Sequence, residues 1–255
     1  SEGCIQGRAD YAGGTCTALS CRAYQLMLRY GLFGRDARRR KLLRQVPPGP
    51  LRDFLSVPLV DSKTDIHSVS LLALDFETSG LNPLQDHIVS AGYVVAEEGQ
   101  IKLSSARHQL VSVSGDLTET SVVIHRITDD VAATGKPLAE VVAELLQALA
   151  GKVMLAHHAK IETGFLKQAC LQLYGASPDF QVVDTMQIAK RWFERRNKSI
   201  KQGDLRLANL RARYGLPSFQ VHNALNDAIA TAELLQAQIE HMDSSERLPL
   251  KQFLS

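Results

Sequence analysis

A nearly unbroken apolar run over Val69–Phe76 constrains the fold of this chain more than any other segment. A strand that is apolar on both faces must be covered on both faces, as happens when helices pack on each side of a sheet. Shorter apolar runs follow at 153–156 and 180–183, and segments with helical periodicity separate them. This alternation predicts an α/β domain built around a mixed sheet.

Turn residues and periodicity predict the other elements. Ile88–Ala96 and Ile101–Val113 alternate between apolar and polar residues, and Glu98-Gly99 between them is typical of a hairpin turn. Helical patterns cover Leu138–Leu149, Lys160–Tyr174, a segment after Asp184, Leu205–Tyr214 and Ala224–His241. Asp184 is a residue type that caps helix N-termini, and we interpret it as a cap and not a ligand.

The proline-rich segment VPPGPL at 46–51 separates the N-terminal part from the rest of the chain. Proline fixes φ and lacks a backbone donor, so the helical pattern over 22–45 ends there. We therefore divide the chain into a mainly helical N-terminal extension (1–65), a main domain (66–243) and a C-terminal tail (244–255). Residues 1–20 of this extension contain several glycines and serines and carry no predicted element.

Acidic residues lie where predicted strands end or predicted helices begin. They are Asp75, Glu77, Glu162 and Asp227. Asp75 and Glu77 are two residues apart on a strand, so their side chains project from the same face. An ionised pair in that position repels itself unless a cation lies between the carboxylates. Carboxylates without cysteine ligands suit Mg²⁺ or Mn²⁺, and two such ions about 3.5–4 Å apart are a common device for cleaving phosphodiesters.

Each acidic residue also has a purely structural interpretation. Asp75 would then cap a turn, and Glu162 and Asp227 would interact only with the positive ends of their helices. His222 lies five residues before Asp227, so both can face one site only if His222 belongs to the loop before the helix. A histidine on such a loop is suited to accept a proton from water. From the individual residues, both interpretations stay open.

The distribution of charge is more informative than the net charge of +2. Nine basic and only two acidic residues lie between Lys190 and Arg213, and a second basic cluster spans Arg35–Arg40 with Lys41 and Arg44. Such clusters bind phosphates, but many charged runs are only the solvated face of a helix. Both interpretations stay open for both clusters.

The four cysteines form no CxxC pair, so we expect no zinc site and a reducing compartment. No apolar run is long enough to span a membrane, and the first residues lack the features of a secretory signal. We therefore expect a cytoplasmic protein without a membrane partner.

Taken together, the segments DFETSGL, HHAKIETGFL and HNALNDA resemble the three motifs of DEDDh 3′–5′ exonucleases. This family includes the proofreading epsilon subunit of bacterial DNA polymerase III and its stand-alone relatives. The resemblance spans about residues 69–241. It implies an RNase H-like fold and the hydrolysis of nucleic-acid 3′ ends, with single-stranded DNA as the expected substrate and nucleoside 5′-monophosphates as products.

The resemblance also implies residue roles. The catalytic set would be His222 as general base with Asp75, Glu77, Glu162 and Asp227 as ligands of two Mg²⁺ or Mn²⁺ ions. The substrate-binding set would be Thr78, Gly80, Leu81, His125 and His158. A small residue lets the backbone approach the terminal nucleotide closely, and an apolar side chain can stack on its base.

Three positions depart from the family pattern. Glu162 stands where the family usually has Asp, His158 replaces the usual Asn, and Arg126 replaces the usual Gly. Glutamate keeps the charge and the hard oxygen ligand but adds one methylene group. Two alternatives therefore stay open: a 3′–5′ exoribonuclease, and a catalytically weak module docked to a polymerase or repair complex through the N-terminal extension.

Overall fold

The computed structural model describes residues 34–112, 135–242 and 247–255. Its centre is a five-stranded sheet with the strand order β3-β2-β1-β4-β5. The strands are β1 Leu71–Thr78, β2 Ile88–Glu97, β3 Gln100–Leu110, β4 Val153–Ala156 and β5 Val182–Asp184. β1, β2 and β3 pair antiparallel, whereas β4 and β5 join β1 in parallel. The predicted α/β class with a mixed sheet is confirmed.

Helices flank this sheet. They are α1 (34–43), α2 Pro50–Ser56, α3 Leu138–Leu149, α4 Lys160–Tyr174, α5 Thr185–Arg195, α6 Leu207–Arg213 and α7 Ala224–Glu240. Two 3₁₀ turns, Ile66–Ser68 and Leu250–Gln252, complete the described elements. The limits of α3, β4 and α4 agree with the sequence-based prediction. β1 starts and ends two residues later than predicted, because Val69 still caps the preceding 3₁₀ turn. Within the described ranges, no helix is long and apolar enough to cross a membrane.

The hairpin between β2 and β3 has the turn that its sequence predicts. Glu98 and Gly99 have φ values of 51° and 70°. Two consecutive residues in the left-handed region are typical of the two-residue hairpin turn that matches the twist of antiparallel strands.

Alternation along β1 sends its side chains into two separate hydrophobic cores. Leu72, Leu74 and Phe76 belong to the core that also contains α3 and α4 residues. Leu71 and Ala73 belong to the core beneath α7 and the C-terminal segment. Because side chains two apart share a face, Asp75 and Glu77 must project toward the α7 side. The apolar pattern of β1 thus decides on which face of the sheet a carboxylate site can form.

The segments at both ends of the described chain contribute to these cores. Leu51 and Leu55 of α2 are buried against α3 in the first core, and Arg38 of α1 pairs with Asp179 at 2.6 Å. Phe253 is buried in the second core. Parts of the predicted extension and of the predicted tail therefore pack on the main domain. The domain limits at 65 and 243 themselves stay a prediction.

Candidate active site

The carboxyl end of β1 supplies the first two acidic side chains. Asp75 is partly buried and Glu77 is buried, and both lie on the α7 side of the sheet. Asp75 pairs in register with Gly92 of β2, and Gly92 pairs with His108 of β3. The residues beside Asp75 on the neighbouring strands are therefore Gly92 and His108, on the same face of the sheet.

Gly92 allows the first turn of α7 to lie directly on the sheet beside Asp75. A Cβ atom at Gly92 would stand 2.1 Å from the carbonyl carbon of Ala224 and 2.1 Å from the nitrogen of Leu225. Only glycine avoids this clash between strand and helix backbones. This close approach carries Asp227, one turn into α7, toward the end of β1.

The start of α7 is held by a reciprocal cap. The side chain of Asn223 accepts a hydrogen bond from the Asn226 amide at 3.1 Å, and the Asn223 amide donates to Asp227 Oδ2 at 3.1 Å. His222 lies just before the helix, is exposed, and has a φ of 63°. The predicted condition that His222 must lie in the loop for both residues to face one site is therefore met.

Asp75, Glu77 and Asp227 converge. One carboxylate oxygen from each lies within 4.8 Å of the others. Burial raises the pKa of Asp75 well above its ordinary value, and repulsion from Glu162, Asp227 and Glu77 raises it further. Burial and the Glu77 charge raise the pKa of Asp227 to about 6. These oxygens, crowded together and without cysteine, suit a hard divalent cation that would neutralise their repulsion.

Glu162 lies behind this three-carboxylate group and is not a member of it. Its side chain is 2% exposed, and its Oε2 atom has no hydrogen-bond partner among the described residues. Burial raises the pKa of Glu162 to about 8, although hydrogen bonds from the amides of Glu162 and Phe76 oppose part of the shift. The Glu162 charge still acts on Asp75. The structure thus places the four predicted ligands as three neighbours and one deeper carboxyl group.

Asp184 does more than the helix capping that its sequence position predicts. Its side chain accepts from the amides of Met186 and Gln187 at 2.9 and 3.3 Å, which confirms the cap of α5. It also accepts from the amides of His158 and Ala159 at 3.1 and 3.0 Å. One buried carboxylate therefore joins the start of α5 to the loop from which α4 and Glu162 begin. The sequence motifs did not indicate this link, because it depends on the pairing of β4 with β5.

The predicted substrate-binding residues have different surroundings. The hydroxyl of Thr78 donates to the carbonyl of Gly80 at 2.7 Å, and Leu81 is 78% exposed. His158 is exposed with a φ of 68°. His125, like the neighbouring Arg126, lies outside the described residues.

Two further histidines near the site were not assigned a role from the sequence. His108 faces the same side of the sheet as Asp75, and the Glu77 carboxylate opposes the lowering of the His108 pKa by desolvation. Only strand register brings His108 there, so no local motif could have indicated it. The ring of His157 lies within hydrogen-bonding distance of Thr185 Oγ1 and the Leu205 carbonyl, which indicates a structural role.

A cavity of about 890 Å³ is lined by Asp227, one of the three converging carboxylates. His222 and His158 also line it, as do Lys201 and Arg206 from the segment between α5 and α6. The acidic group is therefore accessible from a cleft that is partly basic.

Comparisons with known proteins agree with this architecture. The family model described as exonuclease, of the RNase T type, matches residues 72–235. DNA polymerase III subunit epsilon of Treponema pallidum is 30% identical over 176 residues, which cover 68% of this chain and 78% of that protein. The PolC-type DNA polymerase III of Thermotoga petrophila is 29% identical over 179 residues, which cover 70% of this chain. The chain spans only 12% of the length of that polymerase.

Solved structures share the fold at low sequence identity. The zinc-bound complex of E. coli exonuclease I with single-stranded DNA superposes with a TM-score of 0.61 at 15% identity, over 69% of this chain and 42% of that one. The nuclease domain of 3′hExo, a DEDDh family member bound to rAMP, gives 0.59 at 14% identity, over 72% of this chain and 100% of that one. The predicted RNase H-like fold is confirmed. Since the family model also covers more than half of the sequence, the chain belongs to the exonuclease family, and its three motifs are those of DEDDh 3′–5′ exonucleases.

Proposed function

We propose that this chain is a metal-dependent 3′–5′ exonuclease that removes nucleoside 5′-monophosphates from the 3′ ends of single-stranded DNA. One observation carries the proposal: the carboxylates of Asp75, Glu77 and Asp227 converge within 4.8 Å, and Asp227 lines an open cleft together with His222. Hydrolysis of a phosphodiester requires positive charge at the phosphoryl oxygens and a base for the attacking water. The site has ligands for the first and a histidine for the second.

The residues present fit two Mg²⁺ or Mn²⁺ ions. Asp75, Glu77 and Asp227 would hold them, and Glu162 would contribute through its unpartnered Oε2 atom. Such ions polarise phosphoryl oxygens and make bound water more acidic. The extra methylene of Glu162, compared with the aspartate usual in the family, lets a carboxylate on α4 extend toward Asp75.

His222 is the proposed general base. It is exposed and lines the cleft together with Asp227, and so can reach a water there. The neighbouring carboxylates would stabilise the imidazolium that forms when His222 accepts a proton. The hydrogen bond from the Asn223 amide to Asp227 keeps the carboxylate oriented while the adjacent loop carries the histidine.

The terminal nucleotide is proposed to lie against the turn after β1. Leu81 presents an exposed apolar side chain for the base, and a Cβ atom at Gly80 would lie 2.5 Å from the Asp86 carboxylate, so glycine lets the turn approach Asp86 closely. Thr78, His158 and His125 complete the proposed set. The hydroxyl of Thr78 already donates within the turn, so it would act by holding the turn in shape or by accepting a hydrogen bond.

A direct test is the digestion of 5′-labelled single-stranded DNA and RNA of the same sequence, with Mg²⁺, Mn²⁺ or EDTA. We expect a ladder of shortened DNA products in the presence of metal and none in EDTA. Asp75→Asn should abolish the ladder, whereas Lys63→Gln, on a remote surface, should leave it unchanged. A wild-type protein that leaves both substrates intact with either metal would contradict the proposal.

An exoribonuclease is the second candidate. It is favoured by the similarity to the nuclease domain of 3′hExo, which was solved with rAMP. RNA degraded faster than DNA in the same digestion would select it. A catalytically weak module, the remaining alternative, would bind the labelled DNA without shortening it.

A polymerase or repair-complex partner and a cytoplasmic location are also part of the proposal. The similarity to polymerase III subunits supports both. The described part of the N-terminal extension packs on the main domain through α2, and Arg38, Arg40 and Lys41 of α1 are exposed. This exposed face of α1 is the part of the extension that a partner could contact.

A further inference from the structure

The segment that joins α5 to α6 carries an unusual concentration of positive charge. We call residues 195–206, from the last residue of α5 to the residue before α6, the basic loop. Its cations are Arg195, Arg196, Lys198, Lys201 and Arg206, and its one acidic residue is Asp204. Within the described ranges, none of these five cations has an ion-pair partner within 4.0 Å. The Asp204 carboxylate accepts from the Lys201 amide at 2.9 Å, so it shapes the loop from within.

The first half of the basic loop is ordered by an aromatic side chain. The guanidinium of Arg196 lies 4.2 Å from the ring centroid of Trp192, and the ammonium of Lys198 lies 4.9 Å from it. Cation–π contacts of this kind hold cations in place without neutralising them. Arg196 and Lys198 are therefore held against Trp192, and among the described residues no carboxylate pairs with them within 4.0 Å.

The second half of the basic loop lines the cleft that also contains His222 and Asp227. Lys201 and Arg206 line this cleft, together with the apolar side chains of Ile200 and Val221. Ile200 is 37% exposed and Val221 is 42% exposed. Cations interleaved with exposed apolar side chains match the phosphates and bases of an unpaired strand, whose bases are free to contact protein.

This arrangement also resolves an electrostatic conflict. The group formed by Asp75, Glu77 and Asp227 repels an approaching phosphate chain, and the ions that it would bind offset that repulsion only locally. Phosphates farther along the strand need positive charge from the protein. Lys201 and Arg206 of the basic loop supply that charge on the same cleft.

We propose that Lys201 and Arg206, the cations of the basic loop that line the cleft, bind the nucleotides on the 5′ side of the cleaved bond. The preferred substrate is then a single strand of several nucleotides, not a mononucleotide ester or a dinucleotide. This inference rests on the proposed exonuclease function and names the substrate form that the same site takes.

The test compares long and minimal substrates in the double variant Lys201→Gln with Arg206→Gln. Arg206 precedes α6 without a side-chain capping bond, so glutamine there removes charge and not a cap. For an oligothymidylate of roughly twelve nucleotides, we expect KM to rise about tenfold and the slope of log KM against log salt to fall by about 1.4. Hydrolysis of the p-nitrophenyl ester of thymidine 5′-monophosphate, which reaches only the terminal position, should fall by less than about twofold.

The matched control is Lys63→Gln with Lys251→Gln. It removes the same number of positive charges from two exposed lysines. The backbone hydrogen bond from Lys251 to Ser62 places the two lysines in one region of the surface, and neither of them lines the cleft. We expect the wild-type KM and salt slope for this control. An oligouridylate of the same length should lose affinity as the oligothymidylate does, because both present phosphates.

Three outcomes overturn the inference. The Lys201/Arg206 variant could keep the wild-type KM and salt slope for the oligothymidylate, or it could lose as much activity on the ester as on the oligothymidylate. The control variant could also show the same rise in KM as the Lys201/Arg206 variant. Fluorescence anisotropy of the labelled oligothymidylate in EDTA measures the same surface without hydrolysis. If the wild-type protein hydrolyses nothing, the proposed function fails, while the binding comparison still decides the inference.

Discussion

Replacing Gly92 with alanine tests how the fold brings two distant motifs together. The added Cβ would lie 2.1 Å from backbone atoms of Ala224 and Leu225, whereas an ordinary contact begins near 3.4 Å. The start of α7 would therefore have to move by about 1.3 Å, the difference between these two distances. Neither neighbour is a flexible side chain that could turn away. Asp227, in the same helical turn, must move with the backbone.

This displacement has two measurable consequences. Overpacking of this kind costs about 1–3 kcal/mol of unfolding free energy. A shift of about 1 Å in a catalytic group can lower turnover about a hundredfold. We therefore expect Gly92→Ala to lose most of its activity and to need a higher Mn²⁺ concentration for half-maximal turnover, while circular dichroism still shows a folded protein.

Kinetics of single-strand digestion over a Mn²⁺ titration, together with urea unfolding, provide the assay. The matched control is Gly34→Ala, where the new Cβ would meet only the movable guanidinium of Arg38, at 3.3 Å. That variant should keep wild-type activity. If Gly92→Ala kept wild-type stability, turnover and Mn²⁺ dependence, the close approach of α7 would not position Asp227, and our reasoning would be refuted.

Three further predictions concern single side chains. Burial raises the pKa of Glu162 from an ordinary 4.5 to about 8, so folding favours its protonated form. The resulting stabilisation is fully present below pH 4.5 and is lost as pH rises through about 8. The free energy of unfolding in EDTA should therefore fall as pH rises, with Glu162 contributing up to about 1.4 kcal/mol per pH unit. Glu162→Gln should reduce this fall but leave the part that comes from Asp75 and Asp227; a flat wild-type profile would refute the assignment. His222→Ala should lower kcat by about 10²–10⁴-fold without changing the melting temperature, and wild-type kcat would exclude it as the base. Asp184→Asn should cost about 2–4 kcal/mol in urea unfolding, because an amide nitrogen cannot accept the bonds that the carboxylate accepts, and a cost below about 1 kcal/mol would show that the link to the α4 loop is weak.

Local sequence patterns were sufficient to predict the strand, loop and helix that carry the site residues. The apolar run before Asp75 predicted a strand buried on both faces, and its alternation explains why Asp75 and Glu77 face α7. The five-residue spacing between His222 and Asp227 required a loop residue followed by a helical one, and the structure has this arrangement. Such features depend only on the period of a strand or a helix.

Features that depend on register and close approach could not be predicted in the same way. The proximity of Asp227 to Asp75 depends on Gly92, a glycine on a neighbouring strand that no motif includes. His108 comes near the site through β3 register alone. The deeper position of Glu162 depends on the loop that Asp184 holds from β5. Each of these positions depends on which strands pair, and the periodicity of the sequence does not determine strand pairing.

Local sequence patterns also could not predict how residues 34–60 and the C-terminal segment pack on the main domain. Residues 34–60 carry apolar and basic residues that a separate helical module would also carry. Their burial against α3, with Gln181 exchanging two hydrogen bonds of 2.8 Å with the backbone of Val60, is a long-range contact. Likewise, the hydrophobic residues of the short C-terminal segment gave no indication of the core that Phe253 enters.

The most direct test of the central claim is a crystal structure grown with Mn²⁺ and measured at a wavelength where manganese scatters anomalously. We expect an anomalous peak bounded by the carboxylates of Asp75, Glu77 and Asp227, and its loss in Asp227→Asn. A protein that hydrolyses 3′ ends at the same Mn²⁺ concentration but shows no peak among these three residues would contradict the account.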